Sequence, residues 1–171
     1  MNLYFIAMLV SGEEASAIRS MQEEMCRLFD VCQALKSPPH ITLIPPFRQS
    51  ERDEGVMKEF LRSFKRLDFS TKAIKMNHFD DRVIYIEIEE LPELKTLQKK
   101  LRATLIQEGM ISQRTSRRFN PHITVGHRNL QPVFTTAWDH FSKIELDLPI
   151  TLSGPVLLKH DGKRWNIVSE N

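Results

Sequence analysis

Pro39-His40-Ile41-Thr42-Leu43 and Pro121-His122-Ile123-Thr124-Val125 are two copies of one short strand in a chain of 171 residues. Side chains alternate along a strand, so His and Thr at i and i+2 share a face. The Ile between them and the Leu or Val after them point the other way, into a core. Each copy therefore presents one imidazole and one hydroxyl side by side. If the two strands lie close, His40 and Thr42 face His122 and Thr124 across a groove. That is an arrangement for acid–base work on a phosphate.

The surroundings of the two strands repeat as well. Asn2–Val10 reads as an apolar first strand. Ser11 is placed to cap a helix that has Glu13 and Glu14 in its first turn and Ile18, Met21, Met25, Leu28, Phe29 and Cys32 on its apolar stripe. Ser37-Pro38-Pro39 ends that segment. The first motif strand, 40–44, is stopped by Pro45-Pro46. A helix over 52–66 and strands over 70–79 and 82–89 follow, the strands joined at Asp80-Asp81. In the second of these, Val83, Tyr85, Glu87 and Glu89 face one way and Ile84, Ile86 and Ile88 the other. Pro92 then opens a helix carrying Leu94, Leu97, Leu101 and Leu105, and Gly109 closes it. A basic loop, Arg114 to Arg118, leads to the second motif. Phe134, Ala137, Trp138 and Phe141 mark a short helix. Strands over 143–152, 155–160 and 164–168 finish the chain, with a hairpin at Asp161-Gly162. The expectation is one domain, residues 1–171, made of two pseudo-symmetric lobes near 1–90 and 91–171.

Composition narrows the function without deciding it. Lys and Arg number 24 against 22 Asp and Glu, a net charge of +2. That is compatible with a phosphate-bearing ligand and far from a histone-like charge. No stretch reaches the length of a membrane span. The apolar start lacks a basic leader and a cleavage site, so it reads as a buried strand. Cys26 and Cys32 fit neither a redox nor a metal pattern and are expected as reduced core residues, from which the protein reads as cytoplasmic. A zinc ion on His40, His122 and a third ligand is the competing reading of the motifs. No His-x-x-x-His or Cys/His cluster supports it, and no metal or other cofactor is expected. His78, His140 and His160 default to packing or surface roles. His127 shares that default but is the most suspect of them, five residues after His122 on or just beyond the same strand.

These residues carry a family resemblance over nearly the whole chain. Pro-His40-Ile-Thr42-Leu, Phe79 ahead of the Val83–Glu87 strand, Arg118-Phe119-Asn-Pro-His122-Ile-Thr124-Val and the terminal hairpin Val156–Val168 together resemble the 2H phosphoesterase superfamily. Its 2′-5′ RNA ligase branch, the RNA 2′,3′-cyclic phosphodiesterases, is the nearest match. The resemblance implies an α+β bilobal fold, with two antiparallel sheets facing a central cleft and helices outside. It implies metal-independent hydrolysis of 2′,3′-cyclic phosphates, at RNA 3′ ends or in small cyclic nucleotides, to 2′-phosphates. Some members act on 2′-5′ linkages instead. His40 and His122 match the catalytic histidines, Thr42 and Thr124 the phosphate-binding hydroxyls. Which histidine is acid stays open, with a leaning to His122 as base and His40 as acid. Many members have Arg where this chain has His127, and the Pro45-Pro46-Phe47-Arg48 loop is shorter than usual. A binding module of the same fold, without turnover, is the alternative. Arg118 and Arg128 are candidates for phosphate or base contacts, and Tyr4 and Tyr85 for aromatic walls on which a base stacks. The protein is expected to act as a monomer.

Overall fold

The computed structural model describes residues 1–64, 66–113 and 118–169; the Arg114–Arg117 part of the expected basic loop lies outside them. The elements run β1 (Asn2–Ser11), α1 (Glu13–Phe29), a 3-10 turn (Gln33–Lys36), β2 (His40–Gln49), α2 (Glu51–Arg62), β3 (Leu67–Phe79), β4 (Val83–Ile88) and α3 (Pro92–Gln107). After these come β5 (His122–His127), a 3-10 turn (Gln131–Val133), α4 (Phe134–Phe141), β6 (Leu148–His160) and β7 (Trp165–Ser169). The strands are antiparallel, in the order β1-β2-β5-β4-β3-β6-β7, and β6 also pairs with β1. Six strands thus close into a ring. The two motif strands meet at one register pair, Ile41 opposite Ile123. The expected α+β architecture is present, but the strands do not divide at residue 90: β3 and β4 pair with β6 and β5, so β1-β2 form one side of the ring, β5-β4-β3 the other, and the long strand β6 joins the two halves at the back.

Strand alternation decides what faces what. Tyr4, Ile6, Met8 and Val10 of β1 enter the main core beneath the helices, as do Ile41, Leu43, Ile84, Ile86, Ile88, Ile123 and Val125. Phe5 and Ala7 point into the cleft, where they pack with Val156, Leu158, Leu9 and Trp165. The helices cross over: α1 packs on β5 and α3 on β2. Each brings one buried glutamine to the motif strand of the opposite half. Gln22 of α1 donates to the Thr124 carbonyl at 2.9 Å, and Gln98 of α3 to the Leu43 carbonyl at 3.4 Å. These strands part beyond their single pair, so their inner carbonyls need side-chain donors.

Several boundaries differ from expectation. Strand β2 runs through Pro45-Pro46 to Gln49, because its β5 side is unpaired there and its β1 side is irregular, where prolines are tolerated. Strand β6 is continuous across Gly154-Pro155. Ser11 ends β1 and donates to the Thr151 carbonyl, leaving Gly12 at the N-cap of α1. Cys32 is not on α1, which stops at a left-handed Asp30. That turn brings Cys32 back to Cys26, their Cα atoms 4.4 Å apart, and the two form a disulfide. The expectation of reduced cysteines is corrected accordingly, and with it the argument from cysteines to a compartment. Among the described residues no helix is long and apolar enough to cross a membrane.

The contact of α1 with β5 is tight at one point. A Cβ at Gly126 would stand 2.8 Å from Met25 Cε and 3.0 Å from its Cγ. Gly126→Val should overpack this contact and cost about 1–3 kcal/mol. Urea unfolding checks it, and Gly126→Val combined with Met25→Ala should recover part of the loss.

Candidate active site

The register builds a quartet. With Ile41 opposite Ile123, antiparallel pairing sets Thr42 opposite His122 and His40 opposite Thr124. By this register each imidazole lies across the seam from the hydroxyl of the other motif, on the cleft face. All four residues are partly buried.

Both imidazoles are held in the same way. His40 Nδ1 lies 2.7 Å from the Pro38 carbonyl, and His122 Nδ1 lies 2.7 Å from the Asn120 carbonyl. A carbonyl can only accept, so Nδ1 carries the hydrogen and donates. The neutral ring then keeps its lone pair on Nε2. The sequence signal for this is the proline before each histidine. Pro39 and Pro121 keep the preceding residue extended, and its carbonyl turns back to the ring. From the sequence alone these prolines mark only strand boundaries.

Aromatic rings back each histidine. Phe5 lies 4.9 Å from His40, and Trp165 meets Phe5 edge-on at 4.6 Å. Phe79 and Tyr85, stacked on each other, each lie 5.0 Å from His122. The Asn120 side chain bonds the Tyr85 hydroxyl, which burial pushes up from its ordinary pKa. Tyr85 is therefore at the cleft. Tyr4 is not: it is fully buried on the helix side, and its hydroxyl donates to Glu54 Oε2 at 2.8 Å. The expected wall at Tyr4 is corrected to its neighbour Phe5, which alternation sends to the other face. Neither Phe5 nor Trp165 stands out in the sequence.

A bulge adds a third histidine. Ile84 pairs with Gly126, but Tyr85 pairs with Thr124, leaving Val125 as an extra residue on β5. Without it, His127 would share a face with Ile123 and Val125. With it, His127 pairs with Val83 and joins the cleft. An open groove extends from His122 on this side, lined among others by Phe79, Arg118, Phe119, His127 and Arg128. Arg118 and Arg128 are exposed there. Among the described residues no group of three His, Cys, Asp or Glu side chains is arranged to hold a metal ion.

Burial lowers all three rings, and neighbouring positive charge adds to it at His40 and His127. Desolvation, then the charges of His122, His127 and Arg19, lower His40 to about 4 against the pull of the Pro38 carbonyl. Desolvation, then Arg128 and His122, bring His127 to about 4. His122 is also lowered by desolvation, opposed by the Asn120 carbonyl. Unfolded histidine titrates near 6.5, so between about pH 4 and 6.5 the unfolded chain binds more protons than the native one. Stability should therefore rise with pH across that window and flatten above it. Urea unfolding from pH 4.5 to 7.5 should show this, and His127→Gln should lessen the slope.

Comparison with known proteins agrees with this architecture. Residues 10–164 match the profile of the 2′-5′ RNA ligase superfamily. A protein of Geobacillus thermodenitrificans (strain NG80-2) with a provisional phosphoesterase name is 33% identical over 96 residues, 52% of this chain and 51% of the relative. A Bacillus thuringiensis (strain Al Hakam) protein of the same description is 33% identical over 93 residues, again 52% of this chain and 51% of the relative. The chain thus spans about half the length of the curated relatives it matches. E. coli LigT, solved in complex with 3′-AMP, superposes with a TM-score of 0.65 at 16% identity, covering 99% of this chain and 97% of that one. A Thermus thermophilus protein superposes with a TM-score of 0.64 at 17% identity, covering 99% of this chain and 96% of that one. With a superfamily profile matched over most of its length, the chain belongs to the 2′-5′ RNA ligase superfamily, the 2H phosphoesterases.

Proposed function

We propose that this phosphoesterase hydrolyses 2′,3′-cyclic phosphates, at RNA 3′ ends or in small nucleotides, to 2′-phosphates. The observation that supports the reading is two imidazoles held in one tautomer by backbone carbonyls, on motif strands whose register sets each across from the other motif's threonine. His40 has more positive charge around it than His122, which favours it as the base, the reverse of the leaning from sequence. Its Nε2 takes a proton from water as the water oxygen attacks phosphorus. The phosphorus–O3′ bond breaks, and protonated His122 gives its proton to O3′. Thr42 and Thr124 donate to the non-bridging oxygens, where charge grows. A bound phosphate raises the proton affinity of the rings and so supplies the acid that burial alone suppresses. That E. coli LigT, which shares the fold, is solved in complex with 3′-AMP and with ATP supports a nucleotide ligand.

The low proton affinity of all three rings also favours a second reading, a module that binds phosphorylated RNA without turnover. Purified protein with 2′,3′-cyclic AMP and with a cyclic-ended oligoribonucleotide separates the two. Conversion of either to a 2′-phosphate, undiminished by EDTA, is the expected result. Binding without conversion would establish the module, and loss on chelation restored by a metal would sink the two-histidine mechanism.

A further inference from the structure

Three imidazoles share the cleft, and acid–base chemistry uses two. Along β5 the order is His122, then Thr124 with His40 across from it, then His127. His40 thus lies between the other two, on the neighbouring strand, and feels the charge of both. The groups around His127 are His122 on its own strand, Arg128 after it, His40 on β2, and Arg82, Tyr85 and Glu87 on the β4 side; the same groove is lined by Arg118 before β5, His78 of β3 and the Glu90–Lys95 ion pair. Asp80 stands in the turn before β4, and Arg19 of α1 adds positive charge at His40. The carboxylates here are engaged elsewhere. Arg82 donates to Asp80 at 2.8 Å, and Asn77 donates to Glu87 at 2.8 Å with Lys75 at 3.8 Å. No described carboxylate forms an ion pair with His127.

An imidazole placed among cations, with no anion of its own, gains a proton only when a ligand brings negative charge. A cyclic phosphodiester brings one. A phosphomonoester has a second ionisation near pH 6 and brings close to two at neutrality. The first charge is met by the acid of the catalytic pair. The second needs another cation inside the cleft, and the bulge at Val125 has put a titratable one there.

We propose that His127 is the anion-responsive residue of the cleft, taking up a proton when a phosphomonoester binds and so setting how tightly that product is held. This rests on the cyclic-phosphate reading for the identity of the product, but not for the binding itself. The proton enters from solvent on binding and returns to it on release. Product is therefore held more tightly at acid pH and released more readily as pH rises.

Calorimetric titration with adenosine 2′-monophosphate, in two pH 7 buffers of different ionisation enthalpy, counts the protons taken up. Wild type should take up clearly more than His127→Gln, by roughly half a proton or more. The Gln variant should bind about tenfold more weakly at pH 6 and lose most of the pH dependence of Kd. His127→Arg should bind the monoester more tightly at pH 8 than wild type, with a flatter pH profile and stronger product inhibition. Either variant suffices if the other fails to fold. Equal proton uptake in wild type and the folded variant would overturn the proposal, as would wild type that binds no monoester at millimolar concentration. Proton-linked binding without turnover of the cyclic substrate would sink the hydrolase reading and leave the role of His127 intact.

Discussion

His40→Ala and His122→Ala are each expected to lower kcat/KM on a 2′,3′-cyclic nucleotide by about 10²–10⁴, and to do so with different pH profiles. For wild type the profile of kcat/KM should be bell-shaped. Its flanks report the free protein's coupled pair, not one residue each. Because burial lowers both rings, and neighbouring positive charge lowers His40 further, the maximum belongs on the acid side of histidine's ordinary range. The profile of kcat belongs at higher pH, because bound phosphate helps the rings hold protons. Loss of the base should remove the acid limb, and loss of the acid should remove the basic limb. The role given to His40 as base therefore assigns the limb in advance: His40→Ala flattens the acid side. The double variant should lose less than the two single losses combined, since the pair acts as a unit. Two single variants that keep both limbs would remove the pair from the mechanism.

Thr42→Val and Thr124→Val change almost no volume and delete one hydroxyl each. If those hydroxyls meet charge that develops on the phosphate, each loss should cost about 10²–10³ in kcat, with a smaller change in KM. The backbone should tolerate both, because valine favours a strand as strongly as threonine does. Thr124 is also the residue whose carbonyl accepts from Gln22. That bond is to the main chain and survives the substitution, so a folding defect at Thr124 is not expected. Wild-type kinetics in either variant would reduce that threonine to a strand former. Single-turnover measurements decide whether the loss falls on chemistry.

What could be read from the chain was what alternation alone controls. His40 and Thr42, His122 and Thr124, and the split of Ile84, Ile86 and Ile88 from Tyr85 and Glu87 follow from a period of two residues, and the architecture built on them was legible. Tyr4 went wrong because parity has to be anchored to a known face, and β1 is apolar on both. His127 could be suspected but not placed, because a bulge changes parity by one residue and leaves little trace in composition. The disulfide was missed because Cys26 and Cys32 were set on one continuous helix. A left-handed Asp30 between them reverses the chain. The pairing of β6 with both β1 and β3 joins residues from both ends of the sequence, which no local pattern reports.

The single backbone pair between Ile41 and Ile123 has a mechanical consequence. Each residue of that pair directly follows one of the histidines. The seam between the halves is thus at its narrowest where the reacting groups sit, while β6 ties the halves together at the rear. Such a frame behaves like a caliper. The one pair that holds its arms at the front also fixes the spacing of His40 and His122, so a substitution that loosens it should be felt first at those two rings. Gln22 and Gln98, each reaching from a helix of one arm to the motif strand of the other, act as the crossed stays that set its gauge.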